Sequence, residues 1–80
     1  REMNNTRRKQ IRKHVISVLE SARQDLDIVI GEEQEAFDNM PEGLQESDRG
    51  AEMEESIAEM EDIVGELEDL QGRLEEVIER

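Results

Sequence analysis

Two series of largely apolar residues, each advancing in alternating steps of four and three, dominate this sequence. This spacing keeps side chains on one face of an α-helix. The first series is Val15, Leu19, Ala22, Leu26, Val29, Glu33, Ala36 and Met40, and the second is Met53, Ile57, Met60, Val64, Leu67, Gln71, Leu74 and Ile78. If the chain reverses between them, the series pair from Met40 with Met53 to Val15 with Ile78. The pattern therefore predicts an all-α fold, an antiparallel two-helix hairpin.

The segment between the two series carries signals that end one helix and begin another. Pro41 cannot continue a helix without losing a backbone hydrogen bond, and Ser47 is a favoured N-cap residue type. Thr6 is the expected N-cap of the first helix. We predict a single domain over 1–80, with helices over about residues 7–39 and 47–79 and a connector over about 40–46. We expect Met3 to be the natural first residue.

A chain of this size needs support beyond two helices. Eighty residues in two helices bury little apolar surface, and small domains of this kind rely on disulfides, a metal ion or association. The chain has no cysteine, and its single histidine, His14, argues against a nitrogen-rich metal site. Association with another chain is the remaining means of stabilisation.

The apolar faces are also wider than one hairpin requires. In the second helix a third column, Ser56, Ile63, Leu70 and Val77, lies beside the two columns of the heptad stripe. A two-stranded seam needs only two columns, so the extra width predicts a homodimer, a four-helix bundle. The residues expected at the oligomer interface are Ile16, Ile30, Phe37, Ile63, Leu70 and Val77.

Charge is unevenly distributed along a chain whose net charge is −13. A basic patch precedes the acidic remainder and consists of Arg7, Arg8, Lys9, Arg12 and Lys13. In a hairpin this patch would lie beside Glu75, Glu76 and Glu79, and ion pairing there is the favoured interpretation. The alternative is contact with nucleic-acid phosphates, although the chain's single aromatic residue offers little base stacking.

The acidic second helix supports another hypothesis, that its carboxylates imitate a phosphate backbone. The chain would then inhibit a host nucleic-acid-binding protein as a DNA mimic. The candidate mimic face consists of Glu54, Glu55, Asp62, Glu66, Glu68 and Asp69. Most charge runs on helices are simply solvated faces, which is the more ordinary explanation.

No set of residues indicates catalysis, a metal or a cofactor. Glu33 occupies a core position, but no nucleophile or second catalytic group accompanies it. Gln71, expected opposite Ala22, fits a polar residue that fixes helix register. Repeated Glu-x-x-His motifs of di-iron bundles are absent. We predict a non-enzymatic protein without catalytic or metal-binding residues, in the cytoplasm, with no membrane-spanning segment.

The connector and its flanks, residues 32–47, read Glu-Glu-Gln-Glu-Ala-Phe-Asp-Asn-Met-Pro-Glu-Gly-Leu-Gln-Glu-Ser. This segment resembles a group of small acidic proteins of unknown function encoded by bacteriophages and prophages. The resemblance covers roughly the middle half of the chain. It implies a phage-associated helical protein in the host cytoplasm and carries over no active site and no ligand. The leading hypothesis is therefore an interaction or assembly protein with a host or phage protein partner.

Overall fold

The structure is a computed structural model that describes residues 3–80, and its regular structure in that range is entirely helical. The elements are α1 (Asn5–Ile11), a π-helical segment (Arg12–Ile16), α2 (Ser17–Asp38), α3 (Glu42–Gln45) and α4 (Asp48–Ile78). The first three follow one another without a break. Arg1 and Glu2, which precede the expected first residue, lie outside the described residues.

Short polar side chains begin the two long helical stretches. The Asn4 side-chain oxygen accepts a hydrogen bond from the Arg7 backbone N–H at 2.9 Å, so the expectation of an N-cap at Thr6 is wrong. Ser47 caps α4 as predicted, because its hydroxyl oxygen accepts from the Gly50 N–H at 3.4 Å. Each cap satisfies a backbone donor that the first helical turn leaves free.

The connector is more ordered than the sequence indicated, since it contains the single-turn helix α3. Pro41 precedes this turn, and its carbonyl oxygen accepts from the N–H groups of Leu44 and Gln45 at 2.9 and 3.1 Å. The Gln45 amide then donates to the Phe37 carbonyl oxygen at 2.8 Å. These bonds tie the connector to the last turn of α2.

Every other helical element contacts α4. Four pairs of neighbouring residues mark these contacts: Arg8 with Arg80, Glu20 with Gln71, Arg23 with Glu68, and Phe37 with Ile57. Along this series one residue number rises as the other falls. The described chain measures 60 × 17 × 12 Å, as expected for helices lying side by side along most of their length.

The π-helical segment adds one residue to the first helical stretch. The Ser17 backbone N–H donates to the Arg12 carbonyl oxygen, five residues earlier, where an α-helix would place the acceptor four residues earlier. As a result Ile11 and Ile16, five positions apart, are both withdrawn from solvent. Ile16 is only 7% exposed.

Within the first helical stretch the apolar column that faces α4 differs from the predicted one. Two columns compete for the inner side, and they differ by one position. The column Val15, Ala22, Val29 and Ala36, which the sequence pattern predicted to be inside, is exposed; the column Ile16, Arg23, Ile30 and Phe37 is buried or half-buried in its place. The prediction was therefore wrong for this half of the first stripe, although Leu19, Leu26, Glu33 and Met40 are half-buried as expected.

In α4 the predicted stripe is withdrawn from solvent throughout. Ile57 and Ile78 are each 4% exposed, and the stripe residues between them are half-buried. Gly50, one turn before the stripe begins, is also buried because α3 crosses close to it. A Cβ atom at Gly50 would overlap the Gln45 carbonyl oxygen and stand 2.7 Å from the Leu44 carbonyl oxygen. The connector therefore rests directly on the backbone of the first turn of α4.

Deletion of His14 tests the role of the π-helical segment. His14 is exposed, and its removal would return Ile11 and Ile16 to the four-residue spacing of an α-helix with both still facing α4. We expect thermal stability, followed by circular dichroism, to be retained or raised. Deletion of Ser21, within α2, is the control. It would rotate the preceding residues by one position and expose Ile16, at a cost of about 1.5–3 kcal/mol. Equal losses in both variants would contradict this assignment.

Gly50→Ala should lower the free energy of unfolding by about 1–3 kcal/mol, because the added methyl group overpacks against the connector. Gly65→Ala is the matched control, since a Cβ there meets no atom within 4 Å. That variant should gain about 0.5–1 kcal/mol from helix propensity alone. Urea unfolding at one protein concentration measures both. Stabilisation of both variants would show that α3 does not rest on α4.

Candidate interaction surfaces

A polar cluster joins α2 to α4 near the middle of their contact. It consists of Glu20, Arg23, Asp27, Glu68 and Gln71. One Glu20 carboxylate oxygen accepts from the Arg23 guanidinium at 2.5 Å, and the other accepts from the Gln71 amide at 2.9 Å. The same guanidinium lies 3.4 Å from the Asp27 carboxylate and 3.8 Å from that of Glu68. Arg23 thus links carboxylates on both helices.

These bonds favour the ionised form of Glu20. The hydrogen bond from Gln71, followed by that from Arg23, holds the pKa of the Glu20 carboxyl below its ordinary value. The Glu20 carboxylate in turn raises the pKa of Arg23. The sequence placed Gln71 opposite Ala22, whereas its amide group bonds to Glu20 because the inner column of α2 is displaced by one residue. Its Oε1 atom is buried without a hydrogen-bond partner among residues 3–80.

The basic patch lies at the start of the first helical stretch, near the end of α4. Arg8 is half-buried, and its guanidinium donates to the carbonyl oxygens of Met3 at 2.9 Å and Arg80 at 2.6 Å. The other four patch residues, Arg7, Lys9, Arg12 and Lys13, are exposed. In the described part of the chain, ion pairs are formed by Arg23 and not by the patch. The expected pairing with Glu75, Glu76 and Glu79 is therefore not formed there.

Four of the six carboxylates of the candidate mimic face lie on one exposed side of α4: Glu55, Asp62, Glu66 and Asp69 advance in steps of seven, four and three. Glu68 belongs to the polar cluster at the contact with α2. Glu54 lines a groove with Phe37 and Ile57, and Asp62 lines the same groove. Asp62, Glu66 and Asp69 also line a second groove beside Leu70. Of the six residues, Glu68 is thus the one set apart, at the contact with α2.

The residues predicted for the oligomer interface fall into two groups. Ile16, Ile30 and Phe37 belong to the inner column of the first helical stretch, where contact with α4 buries or half-buries them. Ile16 consequently has little surface left for a partner. Val77 is half-buried, whereas Ile63 and Leu70 remain exposed on α4. The displaced inner column explains the difference, because it draws the first group into contacts within the chain.

The same displacement leaves a second set of apolar side chains uncovered. Val15 and Val29 are 41% and 48% exposed, and Ile63 and Leu70 are 40% and 42% exposed. Each of these residues directly precedes a position on the inner side of its helix. We define the outer apolar face as these four residues together with their neighbours in the same columns: Val15, Ala22, Val29, Ala36, Ile63, Leu70 and Val77. The sequence predicted the α4 part of this face to be exposed. It predicted the part on the first helical stretch to lie in the chain interior.

Among residues 3–80, no helix combines the length and apolar character needed to cross a bilayer. Nor do the histidine and acidic side chains of that range form a group of three or more able to hold a metal ion. Comparison with protein-family models, curated proteins and solved structures yields no match to this chain.

Glu20→Gln tests the polar cluster through pH. Because the folded-state pKa of Glu20 lies below the ordinary 4.5, its stabilisation is complete above that value and is lost as pH falls through the lowered pKa. The variant should be less stable than the parent at neutral pH and should lose less stability on acidification. Urea unfolding on both sides of pH 4.5, at fixed protein concentration, measures this.

Glu66→Gln is the matched control for this experiment. It removes the same charge from an exposed residue that makes no side-chain hydrogen bond with the rest of residues 3–80. It should keep the pH dependence of the parent. Identical pH profiles for the two variants would contradict the proposed role of Glu20.

Proposed function

We propose that this chain is a non-enzymatic interaction or assembly protein of phage type that acts as a helical homodimer. In this proposal α2 and α4 form an antiparallel hairpin, and two hairpins combine into a four-helix bundle. The observation that carries the proposal is the outer apolar face, a band of aliphatic side chains left uncovered along both long helices.

The order of the contacts along α4 supports the hairpin. The Arg8 guanidinium meets the Arg80 carbonyl at one extreme, Glu20 bonds to Gln71 in the middle, and the connector hydrogen-bonds to Phe37 at the other extreme. Helices that lie side by side and reverse direction at a connector produce this descending series. The buried and half-buried residues of both helices lie between them.

The hairpin arrangement places both halves of the outer apolar face on one side. In antiparallel heptad helices, the residues directly before the first core position of each heptad lie on the same side of the pair. Val29 precedes Ile30 on α2, and Ile63 precedes Val64 on α4. The polar cluster, with Glu20 and Glu68, occupies the opposite side of the contact. The aliphatic columns and the polar cluster thus lie on opposite sides of the contact, with Asp62, Glu66 and Asp69 bordering Leu70.

A second copy of the chain is the occupant that this face favours. Within residues 3–80 the buried apolar side chains are Ile16, Ile57 and Ile78, each still 4–7% exposed, which is a small core for a chain of this length. A two-fold axis would cover both outer faces with each other and supply the missing burial. The interface would retain Ile63, Leu70 and Val77 from the sequence prediction and replace Ile16, Ile30 and Phe37 with Val15 and Val29.

The dimer would present a rigid acidic exterior to other proteins. The net charge of −13 favours basic protein surfaces as partners and opposes free association with nucleic acid. The resemblance of residues 32–47 to phage-encoded acidic proteins supports a host or phage protein as that partner. The absence of a nucleophile beside Glu33 in the sequence supports a role in binding without catalysis.

Val29→Glu tests the dimer at the centre of the outer apolar face. The substitution places two carboxylates in each dimer interface, and burial of unpaired charge opposes association. Sedimentation equilibrium should show twice the chain mass for the parent and at least about a 100-fold weaker dimer for the variant, which corresponds to about 2.7 kcal/mol.

Ile28→Glu is the control for this measurement. Ile28 is adjacent in sequence and 60% exposed, and the helix turns it away from the outer apolar face. This variant should dimerise like the parent. A monomeric parent with full helicity, or equal dimerisation of the two variants, would contradict the proposal.

Nucleic-acid binding through the basic patch is the second candidate function. It is favoured by the four exposed patch residues, which form no ion pair in the described part of the chain. DNA binding that weakens steeply with salt would support it, because such binding releases counterions from phosphates. The DNA-mimic hypothesis is a third candidate: Glu55, Asp62, Glu66 and Asp69 lie on one exposed side of α4, whereas Glu68 lies at the contact with α2.

A further inference from the structure

We infer that the second copy docks in the reversed orientation, with the basic end of one hairpin beside the acidic tip of the other. This inference rests on the proposed dimer and adds its geometry. The basic end comprises residues 3–16 and 74–80, and the acidic tip comprises residues 32–54. Both orientations that a two-fold axis permits would cover the outer apolar face, so burial alone does not distinguish them.

The basic end carries an excess of cations. Residues 3–16 contain the five basic residues of the patch and no carboxylate, and residues 74–80 contain three glutamates and Arg80. Contact between these segments pairs no patch cation with a glutamate side chain among residues 3–80, and the Arg8 guanidinium donates to the main-chain oxygens of Met3 and Arg80. The positive charge of the patch therefore remains available to a neighbouring molecule.

The acidic tip has the opposite character. Residues 32–54 contain nine carboxylates and one cation, Arg49. The side-chain hydrogen bond found for a carboxylate in this segment comes from the neutral amide of Gln34 to Asp38, at 3.0 Å. The tip thus presents negative charge that no ion pair within residues 3–80 offsets.

The length of the molecule makes orientation matter. The described chain is 60 Å long, whereas charges in physiological salt interact over about 8 Å. Each end therefore responds only to the end of the partner placed beside it. A two-fold axis along the hairpin would set the two acidic tips together and the two basic ends together. An axis across the hairpin sets each basic end beside an acidic tip, which is the favourable arrangement.

The two orientations give different neighbours across the interface. With the axis across the hairpin and through the middle of the face, α2 lies over the partner's α2 in the opposite direction. Val15 then lies opposite the second copy's position 36, and Ala22 lies opposite its position 29. With the axis along the hairpin, α2 lies over the partner's α4, so Val15 lies opposite position 77 of the second copy.

Disulfide trapping distinguishes these arrangements, because the chain has no cysteine of its own. The 80-residue Val15→Cys variant is unfolded and refolded together with an equal amount of either Ala36→Cys or Val77→Cys, and each mixture is then oxidised. One chain carries a mass tag, so that a mixed covalent dimer can be resolved. Disulfides require Cα atoms within about 7 Å, so only facing positions are trapped efficiently.

We expect Val15→Cys to form a mixed covalent dimer with Ala36→Cys and to form none with Val77→Cys. The reverse result would overturn the reversed orientation while leaving the homodimer in place. Sedimentation of the reduced mixtures keeps the two questions separate, because a monomer there would refute the proposed dimer itself. Trapping of both pairs to the same extent would also overturn a single orientation.

Charge reversal provides an independent readout in the same protein. Lys9→Glu with Lys13→Glu should reduce trapping with Ala36→Cys, because the altered end would meet the acidic tip of the second copy. Glu35→Lys with Asp38→Lys in the partner chain should restore it. Trapping unaffected by either pair of changes would overturn the role of charge in setting the orientation.

Discussion

The packing of one apolar column of the first helical stretch against α4 determines which side chains remain exposed, and the π-helical segment Arg12–Ile16 is the local adjustment that lets Ile11 share that side. Two apolar columns in the first helical stretch, one residue apart, could each face α4. The bond from the Ser17 N–H to the Arg12 carbonyl oxygen adds one residue and places Ile11 and Ile16 on the same side. Once Ile16 faces α4, Ile30 and Phe37 follow at helical spacing. The column containing Val15 and Val29 is then left uncovered.

Polar contacts reinforce this choice at the middle of the helix pair. Arg23 occupies an inner position of α2 where the competing register would have placed Ala22, and it links Glu20, Asp27 and Glu68. Its long side chain can lie along the contact while its charged group remains near the edge. Gln71 completes the cluster from α4. Partly exposed ion pairs of this kind contribute little stability, so their main effect is to favour one register over another.

How far the sequence predicted the fold differs between the two helices. The α4 stripe was confirmed because Met53 to Ile78 follow one unambiguous apolar pattern, and Ser47 supplied a clear N-cap. The first helix was predicted in the wrong register, because the column Val15, Ala22, Val29 and Ala36 is uncharged whereas the adjacent column contains Arg23. The one-residue insertion before Ser17 leaves no mark in an apolar pattern that is read at 3.6 residues per turn. The extra residue becomes evident only when packing against α4 is known.

The surfaces were predictable to the extent that they depend on α4. Ile63 and Leu70 were identified as outward-facing from their column alone. Val15 and Val29 were missed, because their exposure follows from the displaced register. The basic patch was evident from composition, but the absence of its ion pairs within the described chain depends on where the Arg8 guanidinium lies. Long-range placement of flexible cations does not follow from sequence spacing.

Isotope-filtered NMR on a mixture of labelled and unlabelled chains separates contacts within one chain from contacts between chains. We expect the inner column to pack within one chain and the outer apolar face to pack against a second copy. Intermolecular nuclear Overhauser effects should then arise from the methyl groups of Val15, Val29, Ile63 and Leu70, and those of Ile16 and Ile57 should show intramolecular effects only. Intermolecular effects from Ile16 or Ile30, or none from the outer face of a folded sample, would contradict the account.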